Sequence, residues 1–305
     1  MGQTMNRPLK GILPIVPTPF GADGQADEPS LKRVTVHAIE AGAAALVYPG
    51  VASEDLFLSA DERRSCLGLV TRLAAGRVPV IAGVNSADPA EMVEITRMAV
   101  EHGADGIMAM AVPAMADQAG TWFARIAEAL GPDRPIILQN LFKPRGADLS
   151  AEEMLKLAAE VPAIRYVKEE GIPSGPKVSR LVAGCGPDLD GVIGGGGARY
   201  LLEELDRGAI ATMPAIELLE LHVALYRAYV AHDRKEALRL YERSLPLLLI
   251  QAPYRMRLTK LILKSRGLIE CDDVREPLPE MDAELKELAL ELYERTVQVP
   301  EMADA

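Results

Sequence analysis

The sequence has no cysteine framework, no paired histidines and no surplus of basic charge. Cys66, Cys185 and Cys271 are odd in number and far apart, which fits neither a disulfide scaffold nor a zinc spacing. His37, His102, His222 and His232 form no pair at the spacing of helical metal ligands, so no metal site is expected. The formal net charge is −11. Nucleic acids and anionic membranes select clustered Lys and Arg, so neither is expected as a partner. The acidic residues are dispersed and read as a solubilising surface. No long apolar span occurs, and the opening MGQTMNRPLKG has no apolar signal core, so a soluble, cytoplasmic protein is expected. A glycine-rich dinucleotide turn is also lacking: VPTPFGADGQ follows the first apolar run.

What the chain does have is a recurring unit. A helical segment, a Gly-Ala step and a short apolar run appear in IEAGAAALVYPG (39–50), VEHGADGIMAMAVP (100–113) and LDRGAIATMPA (205–215). Glycine after a helix supplies the left-handed backbone that ends it. The apolar runs are continuous rather than alternating, as in strands covered on both faces. Further runs at 11–20, 77–84, 134–140, 163–169 and 189–195 bring the expected strands to eight. Helices are expected at 31–41, 60–75, 89–101, 121–130 and 151–160. Ser59, Asp88 and Ser150 stand at the starts of three of them as N-caps.

Eight β/α units in roughly 215 residues predict an α/β fold, a (β/α)8 TIM barrel, over an open doubly wound sheet. The barrel core is placed at 1–215. Residues 216–305 read as the last barrel helix and a C-terminal helical extension packed on the barrel.

Barrel active sites lie at the C-terminal ends of the strands. Position alone nominates Thr18 and Pro19, Tyr48 to Glu54, Asn85 and Ser86, Val112 and Pro113, Gln139 and Asn140, Lys168 and Glu169, Gly194 to Gly197, and Met213. In AIRYVKEEG (163–171) Lys168 stands where a core strand should end, just before Glu169, Glu170 and Gly171. An amine desolvated in an apolar mouth is favoured in its neutral form, which attacks ketones to give a Schiff base. The competing reading has Lys168 reach solvent and pair with Glu169 or Glu170. In PGVASEDLFLSADER (49–63), backbone amides of the turn around Ala52 and Ser53 suit a carboxylate. The run Gly194–Gly197 lacks the Lys-Ser/Thr of a phosphate loop and reads as a strand-to-helix turn, with a phosphate-binding barrel enzyme as the weaker alternative. Asn85 and Ser86 read as turn formers. Lys143 reads as a surface lysine.

GILPIVPTPF, GVASEDLFLSADER and RYVKEE together resemble the dihydrodipicolinate synthase / N-acetylneuraminate lyase superfamily, from about Gly11 to Leu268. The resemblance implies a barrel with a C-terminal helical extension, a homotetramer or homodimer, and a covalent imine on Lys168 in place of any cofactor. It also marks departures. The family's two threonines fall on Val51 and Ala52, with Ser53 at its glycine. The strand-five Tyr-Asn falls on Gln139 and Asn140. A second tyrosine falls near Val112–Pro113, and the synthases' arginine falls on Pro144, beside Arg145. The Thr-Tyr-Tyr relay of the synthases therefore has no counterpart. ASE (52–54), ILQN (137–140) and IMAM (107–110) are similar to the 2-keto-3-deoxy-L-arabonate dehydratase branch.

The implied activity is a Schiff-base lyase acting on a 2-oxo acid, a dehydratase of a 2-keto-3-deoxy sugar acid. The alternatives are an aldolase of the 2-keto-3-deoxy sugar acid or N-acetylneuraminate lyase type, dihydrodipicolinate synthase, and a non-catalytic 2-oxo acid sensor. Catalytic roles are expected for Lys168, Gln139 and Ser53. Substrate contacts are expected from Ala52, Ser53, Asn140, Gly194, Gly195 and Met213. Glu169, Tyr166 and Tyr48 are candidates to replace the missing phenol. Gln139 hydrogen-bonds but shuttles no proton near neutral pH, which favours dehydration over aldol cleavage.

Overall fold

A computed structural model describes residues 8–297. The residues 1–7 that open the chain, where no signal core is expected, and the end of the extension at 298–305 lie outside the described residues. The strands are β1 Gly11–Ile12, β2 Leu46–Val47, β3 Val80–Gly83, β4 Gly106–Met110, β5 Ile136–Asn140, β6 Ile164–Glu169, β7 Gly191–Gly194 and β8 Ala211–Thr212. All run parallel, in the order β1-β8-β7-β6-β5-β4-β3-β2. The ring closes through a parallel bridge between Ile15 and Val47. The expected barrel is present, with a first strand that is regular only at its start, because Pro14, Pro17 and Pro19 remove backbone donors.

The helices α1 Glu28–Glu40, α2 Ala60–Ala74, α3 Pro89–Glu101, α4 Ala119–Leu130, α5 Ala151–Glu160, α6 Ser174–Ala183, α7 Leu201–Asp206 and α8 Leu219–Val230 follow the strands in turn. Ser59 accepts from the Glu62 amide, Asp88 from Ala90 and Ser150 from Glu153, so the three expected caps start α2, α3 and α5. The main core lies between strands and helices and includes Val34, Leu67, Met92, Ile107, Phe123, Leu138, Val167 and Val192. A second cluster fills the barrel itself, with Ile15, Val47, Ile81, Met108, Ile137, Tyr166, Ile193 and Met213.

The extension comprises α9 Arg234–Tyr254, α10 Met256–Ser265 and α11 Ala283–Val297. It carries its own apolar cluster, among it Leu218, Leu247, Leu258, Ile262, Met281 and Ala289. No helix of the described residues is long and apolar enough to cross a membrane.

Candidate active site

Side chains alternate across a strand, so one register decides which residues of β5 and β6 meet inside the barrel. Ile137 pairs with Tyr166 and Gln139 with Lys168. These form the inner face. Asn140 pairs with Glu169 on the outer face, where the Asn140 amide donates to the Glu169 carboxylate at 2.8 Å.

Lys168 is 1% exposed. It does not reach solvent, yet it does pair: Nζ lies 3.0 Å from Oε2 of Glu170. Gln139 Nε2 donates to the same oxygen at 2.6 Å, and the Gly196 amide donates to Oε1 at 3.3 Å. Burial works to raise the pKa of Glu170. The Lys168 charge and the hydrogen bonds from Gln139, Lys168 and Gly196 outweigh it and hold the carboxyl below its ordinary value. The amine thus stands against an ionised carboxylate rather than in an apolar mouth.

The polar run continues outward. The Asn85 amide donates to Gln139 Oε1 at 3.2 Å and to Asp55 Oδ2 at 3.3 Å, and its oxygen accepts the Met110 N–H at 2.9 Å. Asp55, fully buried, accepts from Arg145 at 3.2 Å. Glu276, from the segment between α10 and α11, faces Arg255 at 3.2 Å and Arg145 at 3.7 Å. Asn85 is therefore a bridge in the site and not only a turn former.

Other expected residues sit elsewhere. Asn140 points out of the barrel and holds Leu149 by both its amide and its carbonyl, at 3.1 and 2.9 Å. Glu169, raised in pKa by burial, bonds the Gly171 amide on that outer side. Tyr166 shares the interior with Lys168, but its hydroxyl accepts from the Leu9 amide at 3.4 Å, at the opposite end of the barrel from the strand tips. Tyr48 is buried outside the barrel, hydroxyl to hydroxyl with Thr18 at 3.0 Å. Burial pushes its pKa well above the ordinary tyrosine value. Among the described residues, none of the three is hydrogen-bonded to Lys168.

The hydroxyl of Ser53 donates to the Val16 carbonyl and accepts from the Gly50 amide, and the Ser53 N–H returns to the Gly50 carbonyl at 2.8 Å. Ser53 therefore closes the turn. Ala52 and Met213 belong to the cluster inside the barrel. Gly194 faces outward: a Cβ there would meet Glu204 Oε2 at 1.9 Å. Gly195 lies against the site, where a Cβ would meet Glu170 Cγ at 2.4 Å. The glycine run makes room for two carboxylates. A cavity of about 470 Å³ beside Phe142, Asp148, Gly171, Ile172, Pro173 and Lys177 lies on the outer side of the β5 and β6 loops and includes none of the Lys168 cluster.

Glu54 holds the turn to the extension. Its backbone is left-handed, with φ 59°. Lys260 of α10 lies 2.6 Å from Oε1, and the amides of Arg275 and Glu276 donate to Oε2 at 2.6 and 2.7 Å.

A lysine stands at the tip of the sixth strand of a parallel barrel, its amine buried beside a carboxylate. The chain belongs to the dihydrodipicolinate synthetase family, whose profile matches residues 8–294. It is 28% identical to the L-2-keto-3-deoxyarabonate dehydratase of Azospirillum brasilense, over 94% of each chain. It is 35% identical to the 4-hydroxy-tetrahydrodipicolinate synthase of Salinibacter ruber, but there the match spans about half of either protein, 53% of this chain and 54% of the relative. The crystal structure of dihydrodipicolinate synthase from Rhodopseudomonas palustris superposes with a TM-score of 0.86 at 26% identity, over 94% of this chain and 97% of that one.

Proposed function

We propose that this protein is a lysine-imine lyase that dehydrates a 2-keto-3-deoxy sugar acid, with Glu170 as its proton-transfer group. The observation that carries the reading is the buried trio of Lys168, Glu170 and Gln139, with Glu170 Oε2 at 3.0 Å from the amine and 2.6 Å from the amide. The likeness to the arabonate-derived dehydratase over nearly the whole chain supports it.

Lys168 attacks C2 of the 2-oxo acid and water leaves, giving an iminium. The iminium withdraws electrons and acidifies C3–H. Glu170 takes that proton, and Gln139 keeps the carboxylate aimed. The enamine then expels the C4 hydroxyl, which leaves as water with the proton from Glu170. Water hydrolyses the imine, freeing Lys168 and the dehydrated oxo acid. Gln139 offers hydrogen bonds but neither takes up nor gives up a proton near neutral pH, so a carboxylate assumes the role that the phenol has in the synthases.

Borohydride trapping with pyruvate and with 2-keto-3-deoxyarabonate, read by peptide mass spectrometry, tests the reading. An adduct on Lys168 is expected from both. Glu170→Gln is expected to keep the adduct while turnover falls by roughly 10²–10⁴-fold. No adduct on residue 168, or turnover of the variant within about threefold of the parent, refutes it. Pyruvate released from the sugar acid identifies aldol cleavage instead.

A further inference from the structure

We infer that Asn85 is a positioning residue for the proton transfer: it fixes which end of the Gln139 amide faces Glu170, so that a donor and not an acceptor stands against the carboxylate. The inference rests on the proposed role of Glu170 and adds what keeps that carboxylate ready.

An amide side chain has two ends of nearly the same shape, one donating and one accepting, so its partners decide which way it faces. Asn85 stands just past the end of β3, buried. Two of its neighbours play a single role each. The Met110 N–H can only donate, and it meets Asn85 Oδ1 at 2.9 Å. The Asp55 carboxylate, paired with Arg145 at 3.2 Å, accepts from Asn85 Nδ2 at 3.3 Å. Both fix the same orientation. Asn85 then has an N–H to offer Gln139, whose Oε1 takes it at 3.2 Å. That leaves Nε2 of Gln139 for Glu170, at 2.6 Å. From Met110 through Asn85 and Gln139 to Glu170, every bond points the same way. A reversed Gln139 would set its carbonyl against the carboxylate and its NH₂ against that of Asn85. Asp55, Asn85 and Gln139 are all buried, so bulk water does not compete for either amide.

The direction matters most when Lys168 lacks its charge. Burial works to raise the Glu170 pKa, the Lys168 charge opposes it, and the Gln139 hydrogen bond comes next. A lysine attacks a ketone as the neutral amine. In that state the Gln139 amide and the Gly196 N–H, 3.3 Å from Oε1, are the neutral donors that hold the carboxylate. The other charged groups acting on Glu170 are Glu169 on the outer face of β6, Glu204 of α7, and Arg199, whose guanidinium is bonded to Gln251 at 2.8 Å. The two carboxylates share its sign and cannot replace the Gln139 donor.

Exchange of the C3 hydrogens of pyruvate for deuterium, followed against pH, tests the inference, because it needs the iminium and its base but no sugar acid. Exchange falls on the acid side as the base is protonated. There Asn85→Ala is expected to lose about 10-fold more rate than on the alkaline plateau, as the loss of a hydrogen bond to a charged group implies. An equal loss at every pH, which a merely structural role would give, overturns the inference. Gln139→Met is expected to show the same acid-side loss, and adding Asn85→Ala to it is expected to change the profile by less than about threefold. Losses that multiply in full overturn the action through Gln139. If Asn85→Ala does not fold, Asn85→Asp keeps an oxygen for the Met110 N–H, has no N–H for Gln139 and is expected to lose at least as much on the acid side; a profile parallel to wild type overturns the inference. Glu170→Gln separates the two levels. Exchange by that variant within about threefold of wild type removes the proposed role of Glu170 and this inference with it. Exchange lost in Glu170→Gln, with Asn85→Ala impaired equally at every pH, removes the role of Asn85 alone.

Discussion

Lys260→Met removes one half of an ion pair that is buried on both sides, with side chains 1% and 0% exposed. Lys260 Nζ lies 2.6 Å from Glu54, donates to the Asp273 carbonyl at 2.8 Å and sits 4.1 Å from the centre of the Phe20 ring. Burial pulls the Lys260 pKa down, and the Glu54 charge works against that pull. Methionine preserves the packing against Phe20 but leaves the Glu54 carboxylate, among the described residues, with the hydrogen bonds of the Arg275 and Glu276 amides. Breaking a buried pair from one side costs about 3–5 kcal/mol, chiefly for the stranded charge. At roughly 2 °C per kcal/mol for a chain of this size, Tm falls on the order of 5–10 °C. Adding Glu54→Gln removes the stranded charge, so the double variant is expected to be more stable than the two single costs imply, by more than ~2 kcal/mol. Denaturant unfolding of all four proteins at pH 7 measures this. A Lys260→Met cost under about 1 kcal/mol, or costs that simply add, refutes the argument.

The remaining predictions concern Gly195 and two buried titrating groups. Gly195→Ala places a methyl 2.4 Å from Glu170 Cγ, so Glu170 must leave Lys168; kcat is expected to fall at least ~100-fold, and activity within about threefold of wild type refutes the placement of Glu170. Burial lifts Glu204 from 4.5 to about 7, although Ser174 donates to it at 2.7 Å. Between those values the folded chain binds the extra proton, so rising pH removes roughly 3 kcal/mol of stability there. Burial lowers His222 from 6.5 to about 4, so the unfolded chain binds the extra proton and stability is lost as pH falls through that window. The two slopes oppose each other. In unfolding titrations from pH 4.5 to 7.5, Glu204→Gln is expected to expose the acid-side loss and His222→Leu the alkaline-side loss; curves parallel to wild type refute both.

The barrel was legible because its signals are local. Continuous apolar runs, glycine stops and the caps at Ser59, Asp88 and Ser150 each act within a few residues. Lys168 was legible for the same reason, as a cation ending an apolar strand. Glu170 was available by counting: Tyr166, Lys168 and Glu170 share one parity, while Glu169 and Asn140 share the other. From the sequence alone Glu170 enters as an ion-pair partner of Lys168, the acid/base candidate is the adjacent Glu169, and Asn140 is assigned to the substrate. Asn85 looked like a turn residue because its partners, Asp55 and Gln139, come from other strands' ends. Glu54 was seen in the turn, but its partner Lys260 lies 206 residues away, and Glu276 belongs to a stretch with no pattern of its own. Long-range polar pairing leaves no periodic trace in one sequence.

The clasp between Glu54 and Lys260 sets a timetable for the newborn protein. The turn after the second strand leaves the ribosome early, whereas the lysine that secures it is translated 206 positions later. At elongation speeds of roughly 5–20 residues per second that interval is about 10–40 s. For the later part of it, once residue 168 has been made, the growing polypeptide carries that lysine without the clasp that holds the turn after β2.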